Sequence, residues 1–85
     1  MNTPDTDAAA TTLTRWCEIL TRTAQAFAEA ADHHRAAIGT ATETESRRAL
    51  AGAKFRALLA WQSFADAEKA YDTARAHDPS TWGGQ

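Results

Sequence analysis

Histidine and carboxylate side chains gather in one short stretch, Glu29, Asp32, His33 and His34, and Glu43 and Glu45 follow soon after. Side chains of these types bind divalent metal ions. On a helix, Glu29 and His33 stand one turn apart and share a face. Bundle di-iron proteins, however, carry a Glu-x-x-His pair on each of two helices. Here the spacing is Glu-x-x-x-His, and no matching pair follows in the second half of the chain. His33 and His34 project about 100° apart on a helix, so one helix cannot aim both at one ion. Glu29, His33 and His34 are therefore weak metal candidates. The expectation is no cofactor, with His33 solvated and His34 bonded to Glu45 or a neighbour.

Two other groups bear on chemistry. Cys17 is the single cysteine, which excludes an internal disulfide and a cysteine-only metal site. As a nucleophile it needs a base, and His33 lies sixteen residues away, roughly 24 Å along a helix. Its expected role is that of a small buried apolar side chain. Arg47, Arg48, Lys54 and Arg56 form a basic cluster near Arg35. Nucleic-acid binding needs such charges on one side of an element, but these scatter around a helix among Glu43 and Glu45. No zinc-finger spacing and no glycine-rich phosphate loop occurs. No enzyme activity, nucleic-acid partner or small-molecule ligand is expected.

The elements that must position these residues are helical. Alanine supplies about half of the 44% apolar fraction, valine is absent and only Ile19 and Ile38 represent isoleucine. A sheet has little to build from, whereas alanine, leucine, glutamate and arginine favour helices. Thr3-Pro4-Asp5 makes a suitable helix start. The stripe Leu13, Trp16, Cys17, Leu20, Ala24, Phe27, Ala31, His34 and Ile38 follows at steps of three and four, as an amphipathic helix or coiled-coil seam requires. Helix one is expected over about 4–38 and helix two over about 41–77, after a turn at Gly39 and Thr40. Gly39 suits the left-handed end of a helix. Thr40 with Glu43, or Thr42 with Glu45, reads as a capping box. Asp78-Pro79 stops helix two, leaving an extension of residues 1–3 and a tail of residues 79–85 that contains Trp82.

So short a turn makes the helices antiparallel neighbours and places residues whose numbers add to 79 or 80 opposite each other. Trp16 then meets Phe64 and Trp61, Leu20 meets Leu59 and Ala60, and Phe27 meets Gly52 and Ala53. His34 falls near Glu45. Leu50, Leu58 and Tyr71 complete the expected core, and room for Phe27 or for a close partner helix would account for a glycine at 52. Phe55 and Leu59 point nearly the opposite way, among Arg48, Gln62 and Asp66. A helix apolar on two sides needs two partners.

Trp82-Gly83-Gly84 matches the W-x-G motif of the small helical hairpins exported by type VII secretion, which this chain resembles in size, helicity and alanine content. That resemblance implies export without a cleavable signal peptide, alongside a sister protein. In that family the motif forms the turn between the helices, whereas here it falls in the tail. The family's tyrosine with an acid four residues on is not matched either, since Arg75 follows Tyr71 at that distance.

The fold class expected is therefore all-α: an antiparallel two-helix hairpin, dimerising into a four-helix bundle. Eighty-five residues are near the size at which a lone core is marginal. Ile19, Ala26, Ala30, Phe55 and Leu59 are the expected interface, for a homodimer or a protein partner. The formal charge of -2 implies neither nucleic acid nor an anionic membrane. The acidic N-terminal sequence lacks the basic start of a signal peptide, so a cytoplasmic location is expected, with export as the alternative. Arginine outnumbers lysine seven to two, as codon chemistry favours in a GC-rich bacterial or phage genome. The function read from all this is that of a non-enzymatic interaction or assembly protein.

Overall fold

The computed structural model describes residues 4–77: two helices, α1 (Pro4–Ala37) and α2 (Glu43–Ala76), packed against each other as a hairpin. Each has 34 residues, about 51 Å of helix. The five-residue connection 38–42 is longer than the two-residue turn expected. Gly39 has φ of 84°, among the described residues the only positive value, and supplies the left-handed step that ends α1. Thr3 and the tail with Asp78, Pro79 and Trp82 lie outside the described residues.

Two hydrogen bonds fix the register. At the turn, His34 meets Ser46; at the open end, the Thr6 hydroxyl donates to the Ala74 carbonyl at 3.5 Å. Both pairs add to 80. Every other opposed pair follows from that sum, and the pattern has a simple logic. On α2 the buried residues are Ser46, Ala53, Ala60 and Ala67, one per heptad. Across from the last three stand Phe27, Leu20 and Leu13. Leu13, Leu20 and Phe27 of α1 therefore each lie over an alanine of α2, the alternation that lets facing layers interdigitate. Alanine in that stripe lets the helix axes approach the close end of the usual range of about 8–10 Å. A strict seven-residue repeat keeps the stripe facing its partner along the full length. A second heptad on α2, Leu50, Ala57, Phe64 and Tyr71, is half-buried beside it.

Burial therefore departs from the pattern of large residues alone. The buried apolar residues are Ala37, Ala53, Ala60 and Ala67, at 4–7% exposure. Leu13, Trp16, Leu20, Leu50, Phe64 and Tyr71 are half-buried, while Phe27 is 36% exposed. Ile38, Leu58 and Trp61 were expected in the core and are instead 59%, 54% and 58% exposed. Ile38 falls in the turn. Leu58 and Trp61 are rotated off the seam because the alanine heptad occupies it. Cys17, expected buried, is exposed, since it sits one position beyond Trp16 and outside the row of Leu13, Leu20 and Phe27 that lies over the alanines. Gly52 does not make room for Phe27. A Cβ there would meet only the Arg56 guanidinium, at 3.6 Å.

Several threonines of α1 are accommodated by local bonds. The hydroxyls of Thr11, Thr14 and Thr21 donate to the carbonyls four residues back, which satisfies them without leaving the helix.

Replacing Ala60 by leucine should separate the helices and cost about 1–3 kcal/mol in urea unfolding. Ala49→Leu, at an exposed position, should change stability by less than about 0.5 kcal/mol. Equal effects at the two sites would show that the alanine stripe is not the packing surface. Gly52→Ala, which meets no obstruction, should stabilise the helix by up to about 1 kcal/mol. A lower melting temperature would show that something else needs the missing side chain.

Candidate interaction surface

The polar residues around the turn are engaged with one another. Gly39 N–H donates to Glu43 Oε1 at 2.7 Å, and Arg47 Nη2 donates to Glu43 Oε2 at 2.8 Å. Glu43 thus ties the end of α1 to the first turn of α2. The reciprocal capping box does not form. The Thr40 hydroxyl turns back to the Ala37 carbonyl at 2.6 Å, and Thr42, which precedes α2, makes no side-chain cap. His34 lies with its Nδ1 2.8 Å from Ser46 Oγ, not beside Glu45. Ser46 Oγ in turn donates to the Glu43 carbonyl at 2.8 Å. A hydroxyl has one proton, so with that proton on the carbonyl the imidazole Nδ1–H is the donor to Ser46. His34 is the polar rung of the seam at the turn end.

This arrangement disperses the metal candidates. Asp32 pairs with Arg35 at 2.9 Å, Glu29 and His33 are exposed, and His34 is bonded to Ser46. Among the described residues no group of three or more His, Cys, Asp or Glu side chains is placed to hold a metal ion. Cys17 has Ser63 across the register, not a base. The basic residues also part company: Arg35 and Arg47 are in ion pairs, and Arg56 reaches back over Gly52.

The large apolar residues collect elsewhere. Phe55, Leu58, Leu59 and Trp61 are 62%, 54%, 48% and 58% exposed. With Gln62 they line one shallow depression on α2. Phe55 and Leu59 lie about 150° and 110° around α2 from the Ala53–Ala60 midline, on the side turned away from α1. Leu58 stands beside them, and Trp61 turns toward the flank, its ring 6.0 Å from that of Phe64 and tilted by 41°. Of the other expected interface residues, Ala26 is exposed while Ile19 and Ala30 are half-buried on α1. Ile19 lines a different depression, with Thr14, Arg15, Glu18 and Arg22, and stands across the register from Trp61 rather than from Phe55.

Pattern reading therefore missed Leu58 and Trp61 as surface residues. The signal was the small-residue heptad of Ser46, Ala53, Ala60 and Ala67, which claims the seam and displaces both. Among the described residues no helix is long and apolar enough to cross a membrane. No protein-family model matches the chain, and neither a curated protein nor a solved structure matches it.

The turn makes a prediction. Glu43 is held below the ordinary carboxyl value, first by the Gly39 N–H and further by the charges of Arg47 and His34. Its folded-state value is thus lower than its unfolded one. The stabilisation is fully present above the ordinary carboxyl range and is lost as pH falls through the folded value. In Glu43→Gln the melting temperature should be lower than in the wild type at neutral pH, with the gap closing on acidification. A gap independent of pH would show that the charge plays no part.

Proposed function

We propose that this chain is a non-enzymatic protein-interaction or assembly module, whose working surface is the face of α2 turned away from α1. Phe55, Leu58, Leu59 and Trp61 carry this reading. Single exposed apolar residues are ordinary, but four large ones lining one depression form a contiguous patch, and such patches mark interaction sites. Arg48, Gln62 and Asp66 supply the polar rim that surrounds protein interfaces.

Fully burying a leucine or phenylalanine stabilises by roughly 1.5–3 kcal/mol, a large fraction of what so small a domain can muster. Association of hairpins into a four-helix assembly is the simplest way to recover it, and a cytoplasmic role fits a protein of this kind.

The test is the Phe55→Asp, Leu59→Asp double variant, compared with the wild type after size separation of extracts from cells that produce the protein. The wild type should run in a complex, and the variant should run at monomer size with its helicity retained. Wild type and variant both eluting as lone monomers would sink the reading.

A further inference from the structure

The outer face of α2 carries a second heptad pattern, distinct from the seam with α1. One position of the repeat holds Glu45, Gly52, Leu59 and Asp66; the other, three residues on, holds Arg48, Phe55, Gln62 and Lys69. All but half-buried Gly52 are exposed. The two rows form a strip at a/d spacing along the back of the helix, as a coiled-coil seam requires. Among the described residues, none of Glu45, Arg48, Asp66 and Lys69 takes part in an ion pair within the hairpin.

We propose that this strip pairs with the same strip of a second copy of the chain, antiparallel about a two-fold axis, in the register where opposed residue numbers add to 114. The proposal rests on the reading of this face as an interaction surface and names its occupant.

Charge complementarity selects both the partner and the register. With the sum at 114, Phe55 of one copy lies on Leu59 of the other, and the two-fold axis repeats that contact. Gln62 lies on Gly52, where the missing side chain leaves room for the longer one. Outside these layers Arg48 meets Asp66, and Glu45 meets Lys69, each twice. The strip is thus apolar at its centre and opposite in charge at both ends.

The alternatives lack this match. Parallel pairing in register sets each of the four charges against its own copy. A slip of one heptad in one direction puts Phe55 against Asp66 and Leu59 against Gln62. In the other direction Phe55 meets Gly52 and Leu59 meets Arg48. Like charges opposed, or charge opposed to apolar side chains, disfavour each of these. The face lies on the far side of α2 from α1, so the two α2 helices form the middle of the assembly and the α1 helices its outside.

Disulfide trapping of the full-length chain tests the register. Gly52→Cys and Gln62→Cys are combined in a Cys17→Ser background and oxidised at micromolar concentration. The two thiols lie about 15 Å apart within one helix, beyond disulfide reach, so only a second copy can supply the partner. The space around Gly52 admits the new side chain. A reducible dimer is expected, and none from the control pair Gly52→Cys with Lys69→Cys. Equal or stronger trapping of the control overturns the register. Circular dichroism checks that each variant keeps the helicity of the wild type.

Charge exchange gives a second readout in sedimentation or light scattering. Glu45→Lys should weaken association roughly tenfold, and adding Lys69→Glu should restore it. No loss in the single variant, or no recovery in the double, overturns the pairing. A wild type that is monomeric in isolation at micromolar concentration overturns the second copy as occupant. If that wild type still runs in a complex from cell extracts, the interaction reading itself survives with a different partner.

Discussion

The hairpin depends on one packing choice: α2 turns its alanines, not its largest side chains, toward α1. Ala53, Ala60 and Ala67 recur every seven residues and are buried, and Phe27, Leu20 and Leu13 of α1 lie over them. A stripe of methyl groups lets two helices come close along many turns, so dispersion contacts accumulate although each alanine buries little. The ends of the seam are polar and closed by hydrogen bonds, His34 with Ser46 and Thr6 with Ala74. These polar rungs add direction to a packing surface that would otherwise tolerate a slide by one heptad. The turn, tied by Glu43 to Gly39 and Arg47, sets the same register from one side.

Leu50, Phe64 and Tyr71 keep a half-buried place beside that stripe, and the other large residues of α2 are displaced by it. With the seam on the alanines, Trp61 rotates to the flank, and Phe55, Leu58 and Leu59 to the side away from α1. A hairpin of this length has little interior of its own, and its stability comes from a long, thin contact. Its exposed apolar groups are therefore a direct consequence of how the hairpin packs, not an isolated surface anomaly. The polar turn residues show the reverse economy: Asp32, His34, Glu43 and Arg47 find partners locally and do not converge on one point where a metal or substrate could sit.

The two helices, their approximate ends and their antiparallel register were legible in the sequence. Gly39 and the scarcity of β-branched aliphatic residues are local signals, and a short turn leaves few geometries. The outward placement of Phe55 and Leu59 was also legible, because a helical angle depends on residue number alone. The identity of the seam was not. Reading by size assigned Leu58 and Trp61 to it, since large apolar residues normally mark a core. Alanine is ambiguous in sequence, serving equally as helix former and as packing surface, and only its strict recurrence at 46, 53, 60 and 67 with serine at the first position separates the two roles. Cys17 was misplaced because it follows Trp16 by one position and so turns out of the contact. His34 paired one residue away from the acid expected, because the register sum is 80 at the turn and Ser46, not Glu45, satisfies it.

The position of the two strips around α2 constrains what the proposed pairing can build. A compact four-helix bundle asks each helix to present faces roughly a quarter-turn apart, so that each touches two neighbours around a shared core. On α2 the alanine seam and the centre of the Phe55–Leu59 strip are about 130° apart, wider than a quarter-turn, which places α2 between two helices rather than beside a core shared by four. Such an arrangement could extend only if α1 also offered an apolar back. Arg15, Glu18, Arg22, Glu29 and His33 are all exposed on α1, and they cover its outer side with charge and polarity. An isologous contact on α2 uses the same patch on both copies and leaves none free. The strip is therefore consumed on pairing, the charged α1 helices face outward, and growth stops at two hairpins.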